Sequence, residues 1–381
     1  MNNPPSPEFR FELLHTSTKS RARVGKIHTP HGIIDTPGFV AVGTNGSIKA
    51  LDNPTVEELG VQLMFCNTYH LMLQPGSNII KEAGGIHRFI NRNQPIITDS
   101  GGFQVFSLMY GGVHQELKSQ GLKKIENSVL KINEEGVLFR SYRDGSPILL
   151  TAETSIQAQK DIGADIIVSF DELPPCHMDP QKLRHSLDRT HRWEKRSLDA
   201  HLANPNNQAL YAVVHGGIDR TLRKKSCEYL SALPFDGFAV GGSLGKTREE
   251  MIEVVKFVFP HLPADKPNHL LGIADLPSIE ACIPHGVDTF DSAYPTKAAR
   301  HGLLLTKRGR VRIMAGGNAS YHRPIEDDCT CSTCQRFTLS YLCHLFKAHE
   351  LTVYSLATIH NIHFMVQLMA EYRNNILQNN I

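Results

Sequence analysis

The segment Phe290–Gly302, FDSAYPTKAARHG, places an aspartate at the end of a short apolar run and follows it with basic residues. A carboxylate presented in this way can act as a nucleophile or as a proton-transfer group. From Ser292 to Ile325 the chain contains no Asp or Glu, although its formal net charge is only +2. Such a strip favours a local phosphate-binding face, with a solvated basic loop as the alternative. Its basic residues are Lys297, Arg300, Lys307, Arg308, Arg310, Arg312 and Arg323.

Two further carboxylates are candidates for chemistry. Asp99 lies in TDSGGFQ and Asp171 in FDELPP. An aspartate at a strand end is often only a helix N-cap. If the three carboxylates converge, however, a nucleophile and a proton-transfer group could cleave and remake a glycosidic bond with retention, through a covalent glycosyl-enzyme ester.

Asp171 could instead serve recognition, because a carboxylate accepts two hydrogen bonds side by side. Guanine offers a matching edge in its N1–H and its 2-amino group. The glycine pairs Gly216–Gly217 and Gly241–Gly242 would let the backbone approach a flat ligand, and Phe103 could lie against the face of a base. Tight turns and core packing are the alternative explanations for these residues.

Three clustered cysteines, Cys329, Cys331 and Cys334, form CxCxxC, and His360 follows on a stretch with helical character. Three thiolates and one imidazole suit tetrahedral zinc and leave no open position for water. The pattern therefore predicts one structural zinc ion per chain. The choice of histidine is less specific, since three others lie nearby (His344, His349 and His363), and free core thiols are the alternative.

Short β-rich runs alternate with helical segments along the chain, and each run ends in glycine or polar residues. The runs begin near positions 38, 61, 95, 164, 210, 237, 269 and 287, and helical segments include 54–60, 152–163, 181–202 and 247–259. Eight such repeats are typical of an α/β fold of the (β/α)₈ TIM-barrel type, in which reactive groups gather at the carboxyl ends of the strands. An open doubly wound sheet would fit the same alternation. No glycine fingerprint supports a nucleotide cofactor.

The composition is that of a globular protein, with 381 residues of which 41% are hydrophobic. We expect one TIM-barrel catalytic domain over residues 1–381, containing a C-terminal zinc-binding subdomain at 307–365. The N-terminal residues lack an apolar signal segment, and no apolar run approaches the roughly 20 residues that span a bilayer. A cytoplasmic protein without a membrane partner is the expectation.

Together these motifs resemble tRNA-guanine transglycosylase, also called queuine tRNA-ribosyltransferase, in its compact bacterial-type single-barrel form. The resemblance covers nearly the whole chain. It is carried by VGTNGSIKAL from Val42, NTYHLMLQPG from Asn67, TDSGGFQVFSL from Thr98, FDE at 170–172, the GG turn after GFAV, FDSAYPT from Phe290, and CxCxxC with His360.

The resemblance implies a role for each residue singled out above. Asp291 matches the nucleophile that attacks C1′ of the ribose, and Asp99 matches the general acid/base. Asp171 matches the residue that reads the base edge, Phe103 an aromatic stacked on the base, and Gly242 a backbone N–H that meets the base carbonyl. The partners would be a tRNA whose wobble guanine is splayed into the pocket, with phosphates held by Lys297 and Arg300, and a 7-deazaguanine base.

The chain departs from the family pattern around the base. His215 replaces a usual Gln, Leu271 replaces a usual Met, and the turn GGSLGKT has Gly245 where bacterial members carry Val. A missing side chain at Gly245 would widen the pocket. This favours queuine as the inserted base, with the smaller aminomethyl precursor as the alternative.

Two other functional classes are rivals. A non-catalytic tRNA-binding paralogue would fit the same fold, but both Asp99 and Asp291 are present. A zinc-dependent hydrolase or deaminase would need an open coordination position, and the deaminase HxE signature with PCxxC is absent. Family members commonly act as homodimers, so we expect one here.

Overall fold

The computed structural model describes residues 9–110, 129–175 and 178–381. The first eight residues, which belong to the stretch on which the expectation about a signal segment rests, lie outside this range. In chain order the strands are β1 Arg10–Thr16, β2 Arg23–Thr29, β3 Gly32–Thr36, β4 Gly38–Val42, β5 Leu63–Cys66, β6 Ile96–Thr98, β7 Val129–Ile132, β8 Gly136–Arg140, β9 Pro147–Thr151, β10 Ile166–Val168, β11 Ala209–Val214, β12 Gly237–Val240, β13 Asn268–Leu270, β14 Thr289–Ser292, β15 Leu303–Thr306 and β16 Gly309–Arg312.

Eight of these strands close into a barrel in the order β4, β5, β6, β10, β11, β12, β13, β14. Every neighbouring pair is parallel, and β14 returns to β4 with Asp291 opposite Val40. Each barrel strand coincides with one of the eight β-rich runs in the sequence. The predicted TIM barrel is confirmed, and the open doubly wound sheet is excluded.

Most barrel strands are apolar on both faces, which explains why they appear in the sequence as short continuous runs. Val40, Phe65 and Ile166 belong to the cluster inside the barrel. Their neighbours Met64 and Ile167 belong to the cluster beneath the surrounding helices. Because side chains alternate along a strand, a strand enclosed on both sides loses the apolar–polar alternation of a surface strand.

The helices follow the strands and begin at recognisable capping residues. Thr247 and Glu250 form a capping box at the start of the helix Arg248–Val258, and Asp179 caps Pro180–Leu202. The α-helices are Asn53–Glu58, Thr68–Leu73, Ser77–Glu82, Ile86–Phe89, Gly102–Tyr110, Ala152–Ile162, Pro180–Leu202, Arg220–Ser231, Arg248–Val258, Leu276–Cys282, Tyr294–Arg300, Ser332–Arg336, Leu339–Lys347 and Thr352–Leu377. Short 3₁₀ turns occupy Phe259–His261, Ile283–His285 and Asn318–Ser320.

Three small antiparallel sheets were not predicted from the sequence. The sheet β1–β2–β3 covers the amino-terminal end of the barrel, where Ile27 and Ile34 join the inner apolar cluster. There Arg23 pairs with the buried Asp288, with Nη2 2.6 Å from Oδ2. The sheet β7–β8–β9 is inserted between β6 and β10, and β15–β16 forms a hairpin after the last barrel strand.

The C-terminal helices pack around an apolar cluster of their own. Cys331, Cys334 and Cys343 belong to it, together with Leu304 and Ile313 from the region of the last hairpin. The long helix Thr352–Leu377 also contacts the barrel through β4. Across the described parts of the chain, no helix has both the length and the apolar character needed to cross a membrane.

Candidate active site

The polar residues predicted from strand ends lie at one end of the barrel. Asp99 follows β6, Asp171 and His215 follow β10 and β11, and Asp291 lies in β14, next to its last residue. The carboxyl ends of parallel barrel strands surround a single opening, called the mouth below.

Asp291 is buried and held through one of its two carboxylate oxygens. The backbone N–H of Gly272 donates to Oδ1 over 2.6 Å, and Nε2 of His269 lies 3.0 Å from the same atom. His269 is itself fixed, because its Nδ1 lies 2.8 Å from Oγ1 of Thr289 on the neighbouring strand. No hydrogen bond from the described residues reaches Oδ2. One oxygen is therefore anchored and the other is available to react.

Asp99 is surrounded by donors and shielded from solvent. Oδ1 accepts the backbone N–H of Thr68 over 2.7 Å, and Oδ2 accepts the side-chain amides of Asn67 and Gln104, each over 2.8 Å. Burial raises the pKa of Asp99 above its ordinary value, and the hydrogen bonds from Asn67 and Gln104 partly oppose that rise. A carboxyl group with a raised pKa is suited to carry a proton to or from a ligand.

Asp171, which follows β10, is joined to residues that follow the two adjacent strands, β6 and β11. The hydroxyl of Ser100 donates to Oδ1 over 2.9 Å, and Nε2 of His215 lies 2.8 Å from Oδ2. The other ring nitrogen of His215, Nδ1, is buried without a partner among the described residues. Histidine at this position therefore makes one hydrogen bond to the carboxylate and keeps one unused polar atom.

Phe103 and Leu271 supply apolar surface near these carboxylates. The side chain of Phe103 is 45% exposed although it is a large aromatic on the helix that follows Asp99. The backbone N–H of Leu271 donates to the carbonyl of Val240 on β12. Leu271 directly precedes Gly272, which binds Asp291. An exposed aromatic ring beside a polar cluster is suited to stack on a flat ligand.

Glycine is required at two positions of the turn after β12. Gly242 has a φ of +74°, and a Cβ there would lie 2.6 Å from Nδ1 of His215. Gly245 has a φ of +111°, and a Cβ there would lie 2.5 Å from Cβ of Glu250. A side chain at Gly245 would thus meet Glu250 on the helix Arg248–Val258 and not the aspartates at the mouth. The conformation of the turn explains this glycine.

The basic strip is only partly paired. Lys297 and Arg300 are exposed on the helix Tyr294–Arg300, directly after Asp291. By contrast, Lys307 pairs with Glu371 over 2.7 Å and Arg323 with Asp327 over 2.6 Å. Lys297 and Arg300, which lie nearest the mouth, have no ion-pair partner within the described residues, and the same holds for Arg308, Arg310 and Arg312.

The predicted metal ligands form one cluster in the C-terminal region. The Sγ atoms of Cys329, Cys331 and Cys334 lie 3.7, 3.7 and 3.4 Å from Nδ1 of His360. Tetrahedral zinc with ordinary bond lengths places sulfur and nitrogen ligands about 3.6 Å apart. Nε2 of His360 lies 2.8 Å from the carbonyl of Leu305, which leaves Nδ1 free to bind a cation. This cluster can hold a metal ion.

A second group of potential ligands lies at the opposite end of the barrel. Nδ1 of His31 and Nε2 of His87 lie 2.7 and 3.0 Å from the two oxygens of Asp165, and the imidazole rings are stacked. The same carboxylate also accepts the backbone N–H groups of His31 and Ile96. Four donors occupy the carboxylate, so this group is a hydrogen-bonded clamp that joins the start of β10 to the turn between β2 and β3, the helix Ile86–Phe89 and the start of β6.

Several residues of the mouth were missed in the sequence. Gln104 and Asn67 both bind Asp99. Gln104 stands in the same motif as Asp99, TDSGGFQ, so a polar residue close to a candidate catalytic aspartate was the available signal, whereas Asn67 stands in the separate motif NTYHLMLQPG. His269 and Gly272, which hold Asp291, stand in HLLGIAD. Their partnership depends on how β13 pairs with β14, and no local pattern reveals that register.

The chain matches the family model described as queuine tRNA-ribosyltransferase over residues 17–381. It is 67% identical over 368 residues to a queuine tRNA-ribosyltransferase of Protochlamydia amoebophila (strain UWE25), covering 97% of this chain and 95% of that protein. It is 53% identical over 374 residues to the protein of the same name from Chlamydia felis (strain Fe/C-56), covering 98% and 100%. A Chlamydia muridarum (strain MoPn / Nigg) protein of that name gives the same identity and coverage. The chain therefore belongs to the queuine tRNA-ribosyltransferase family.

Proposed function

We propose that this chain is a tRNA-guanine transglycosylase, a pentosyltransferase that exchanges the wobble guanine of target tRNAs for a 7-deazaguanine base. The observation that carries the proposal is the state of Asp291, whose Oδ1 is fixed by His269 and Gly272 while Oδ2 is unbonded among the described residues. A carboxylate held in this way has one oxygen oriented for attack. Its position at the mouth beside other carboxylates fits chemistry on a glycosidic bond.

The proposed reaction has two displacements at C1′ of the ribose. Oδ2 of Asp291 attacks C1′, the bond from C1′ to N9 of guanine breaks, and the leaving base takes the electron pair together with a proton from Asp99. The entering base then gives its N9 proton to Asp99 and attacks C1′, which releases the Asp291 carboxylate. Two inversions give net retention, and the raised pKa of Asp99 suits it to both proton transfers.

The other residues of the mouth would select and orient the base. Asp171 would accept the N1–H and 2-amino hydrogens, with His215 beside it in place of an amide. The backbone N–H of Gly242 would meet the base carbonyl, while Phe103 and Leu271 would cover its faces. Lys297 and Arg300 would hold phosphates of the anticodon loop while the target nucleotide is splayed out.

We also propose one structural zinc ion per chain at Cys329, Cys331, Cys334 and His360, supported by the fit of the sulfur–nitrogen distances. The ion would stabilise a zinc-binding subdomain at residues 307–365 within a single catalytic domain of 1–381. The separate apolar cluster of this region supports that division. A homodimer is the proposed assembly, and sedimentation at several protein concentrations tests it.

For the inserted base we propose queuine over the aminomethyl precursor. The support is that the similar proteins are named for queuine. Gly245 adds no independent support, because a Cβ there would meet Glu250. Since the precursor is the smaller base, a pocket that accepts queuine would also admit it, and the preference is a ratio of kcat/KM values.

The test is incorporation of queuine and of the precursor, in parallel, into an unmodified tRNA that carries a wobble guanine. Uptake of queuine that disappears in Asp291→Ala supports the whole proposal. Uptake of the precursor alone keeps the base exchange and overturns the preference. If neither base enters the tRNA while the tRNA still binds, the chain is the non-catalytic paralogue.

A further inference from the structure

A buried arginine joins the two glycine turns at the mouth. Arg223 is 0% exposed and lies on the helix Arg220–Ser231. Its guanidinium donates to four carbonyl oxygens: Val214 over 2.7 Å, Gly217 over 2.8 Å, Gly241 over 3.0 Å and Ser243 over 3.0 Å. Val214 is the last residue of β11 and Gly217 lies in the turn after it, whereas Gly241 and Ser243 lie in the turn after β12. One side chain therefore sets the spacing of both turns.

This arginine has no carboxylate partner within the described residues. Burial lowers the pKa of Arg223 to about 10, so the group is still protonated at neutral pH. A buried charge without a counter-ion is unfavourable unless polar groups replace its hydration. Here four carbonyl dipoles do so, and the planar fork of the guanidinium reaches all of them. A lysine ammonium in its place has only three donors on a single nitrogen.

The contact with Gly241 fixes the direction of an unpaired donor. In a trans peptide the C=O and the N–H point in opposite directions. Because the carbonyl of Gly241 is turned toward Arg223, the N–H of Gly242 in the same peptide is turned away from it. That N–H has no acceptor among the described residues. The Cα of Gly242 lies against the ring of His215, which contacts Asp171.

We infer that Arg223 is a positioning residue for base recognition: it holds the peptide between Gly241 and Gly242 so that the Gly242 N–H meets the carbonyl oxygen of the base. The inference rests on the proposed function, since it assumes a purine-like base with a carbonyl group at the mouth. It assigns Arg223 no contact with the ligand. Its effect passes through the backbone of the turn.

A matched control exists at the other end of the barrel. Arg92 is 1% exposed, burial lowers its pKa to about 10, and its guanidinium donates to the carbonyl of Val61. Arg92→Lys and Arg223→Lys therefore change the same kind of buried group. Only Arg223→Lys does so near the mouth. A purely structural role predicts similar behaviour for the two variants.

The experiment compares guanine with 6-thioguanine as competitors of base uptake in wild type, Arg223→Lys and Arg92→Lys. 6-Thioguanine keeps the N1–H and the 2-amino group but replaces the carbonyl oxygen with sulfur, a weaker acceptor. We expect the wild-type preference for guanine to fall by about tenfold in Arg223→Lys, the equivalent of about one hydrogen bond. The preference should be unchanged in Arg92→Lys, and the KM for tRNA should change little in either variant.

An unchanged preference in a folded Arg223→Lys variant overturns the inference, whatever happens to its melting temperature. If Arg223→Lys does not fold, Arg223→Gln is used. This variant keeps an amide donor for the Gly241 carbonyl, so we expect an intermediate preference for guanine over 6-thioguanine. A preference equal to that of wild type would again overturn the inference. If wild type incorporates no base at all, it is the proposed function that fails, and the inference fails with it.

Discussion

Nε2 of His215 lies 2.8 Å from Oδ2 of Asp171, and the hydroxyl of Ser100 lies 2.9 Å from the other oxygen. A carboxylate can only accept, so Nε2 carries the proton and the ring is oriented by this bond. The pair forms a unit in which His215 directs the carboxylate that would read the base. Replacing either member should therefore affect base recognition before it affects tRNA binding.

Removal of the imidazole tests that unit. His215→Ala takes away the donor to Oδ2 of Asp171, so we expect KM for the base to rise by about tenfold, the effect of one lost hydrogen bond to a charged group. The KM for tRNA should stay close to wild type. His215→Gln supplies an amide donor and should recover most of the loss. Equal KM values for the base in wild type and His215→Ala would contradict the role of this pair.

The donors around Asp99 should tune the pH dependence of exchange. Asn67→Leu removes a hydrogen bond that favours the ionised carboxylate, so the pKa of Asp99, already raised by burial, should rise further. The first displacement requires protonated Asp99. The alkaline limb of kcat/KM for tRNA should therefore move to higher pH in the variant, and Asp99→Asn should abolish exchange. A limb that stays in place, or moves to lower pH, contradicts the assignment of Asp99.

The clamp at the amino-terminal end should make stability depend on pH. The hydrogen bond that His31 donates to the Asp165 carboxylate raises the pKa of His31, while burial opposes the rise. A group whose pKa is raised by folding contributes stability that is complete below its unfolded pKa, about 6.5 for histidine, and lost as the pH rises through the folded value. The melting temperature of wild type should exceed that of His31→Asn, and this difference should shrink between pH 6 and pH 9. A difference in melting temperature that grows with pH would contradict a raised pKa of His31 in the folded protein.

Metal binding can be separated from simple core packing with two cysteines. Cys334→Ala should abolish zinc retention and lower the melting temperature, because it removes one of four ligands. Cys343→Ala is the control, since Cys343 is buried in the same apolar cluster but lies outside the ligand group. Cys343→Ala should keep one zinc ion per chain, as measured by elemental analysis. Zinc retained by Cys334→Ala would exclude this cluster as the site.

The barrel was predictable because its strands are enclosed on both faces and end in polar residues, as at Ile96–Thr98 followed by Asp99. The hydrogen-bond partners of those polar residues could not be predicted. His269 faces Asp291 because it pairs with Thr289 on the next strand, and that register is a tertiary property. Gly245 shows a similar limit. Its residue type suggested a wider pocket, whereas its backbone directs a Cβ at Glu250.

The central claim is that Asp291 forms a covalent bond to the ribose. The most direct measurement is electrophoresis under denaturing conditions after mixing enzyme with a wobble-guanine tRNA in the absence of an entering base. Wild type should give an enzyme–tRNA adduct that disappears when the base is added. The control variant Asp275→Asn should give the same adduct as wild type. It alters a different carboxylate at the same end of the barrel, one that pairs with Arg248. Asp291→Asn should bind tRNA and give no adduct. An adduct in Asp291→Asn, or base exchange by wild type without any adduct, would contradict the account.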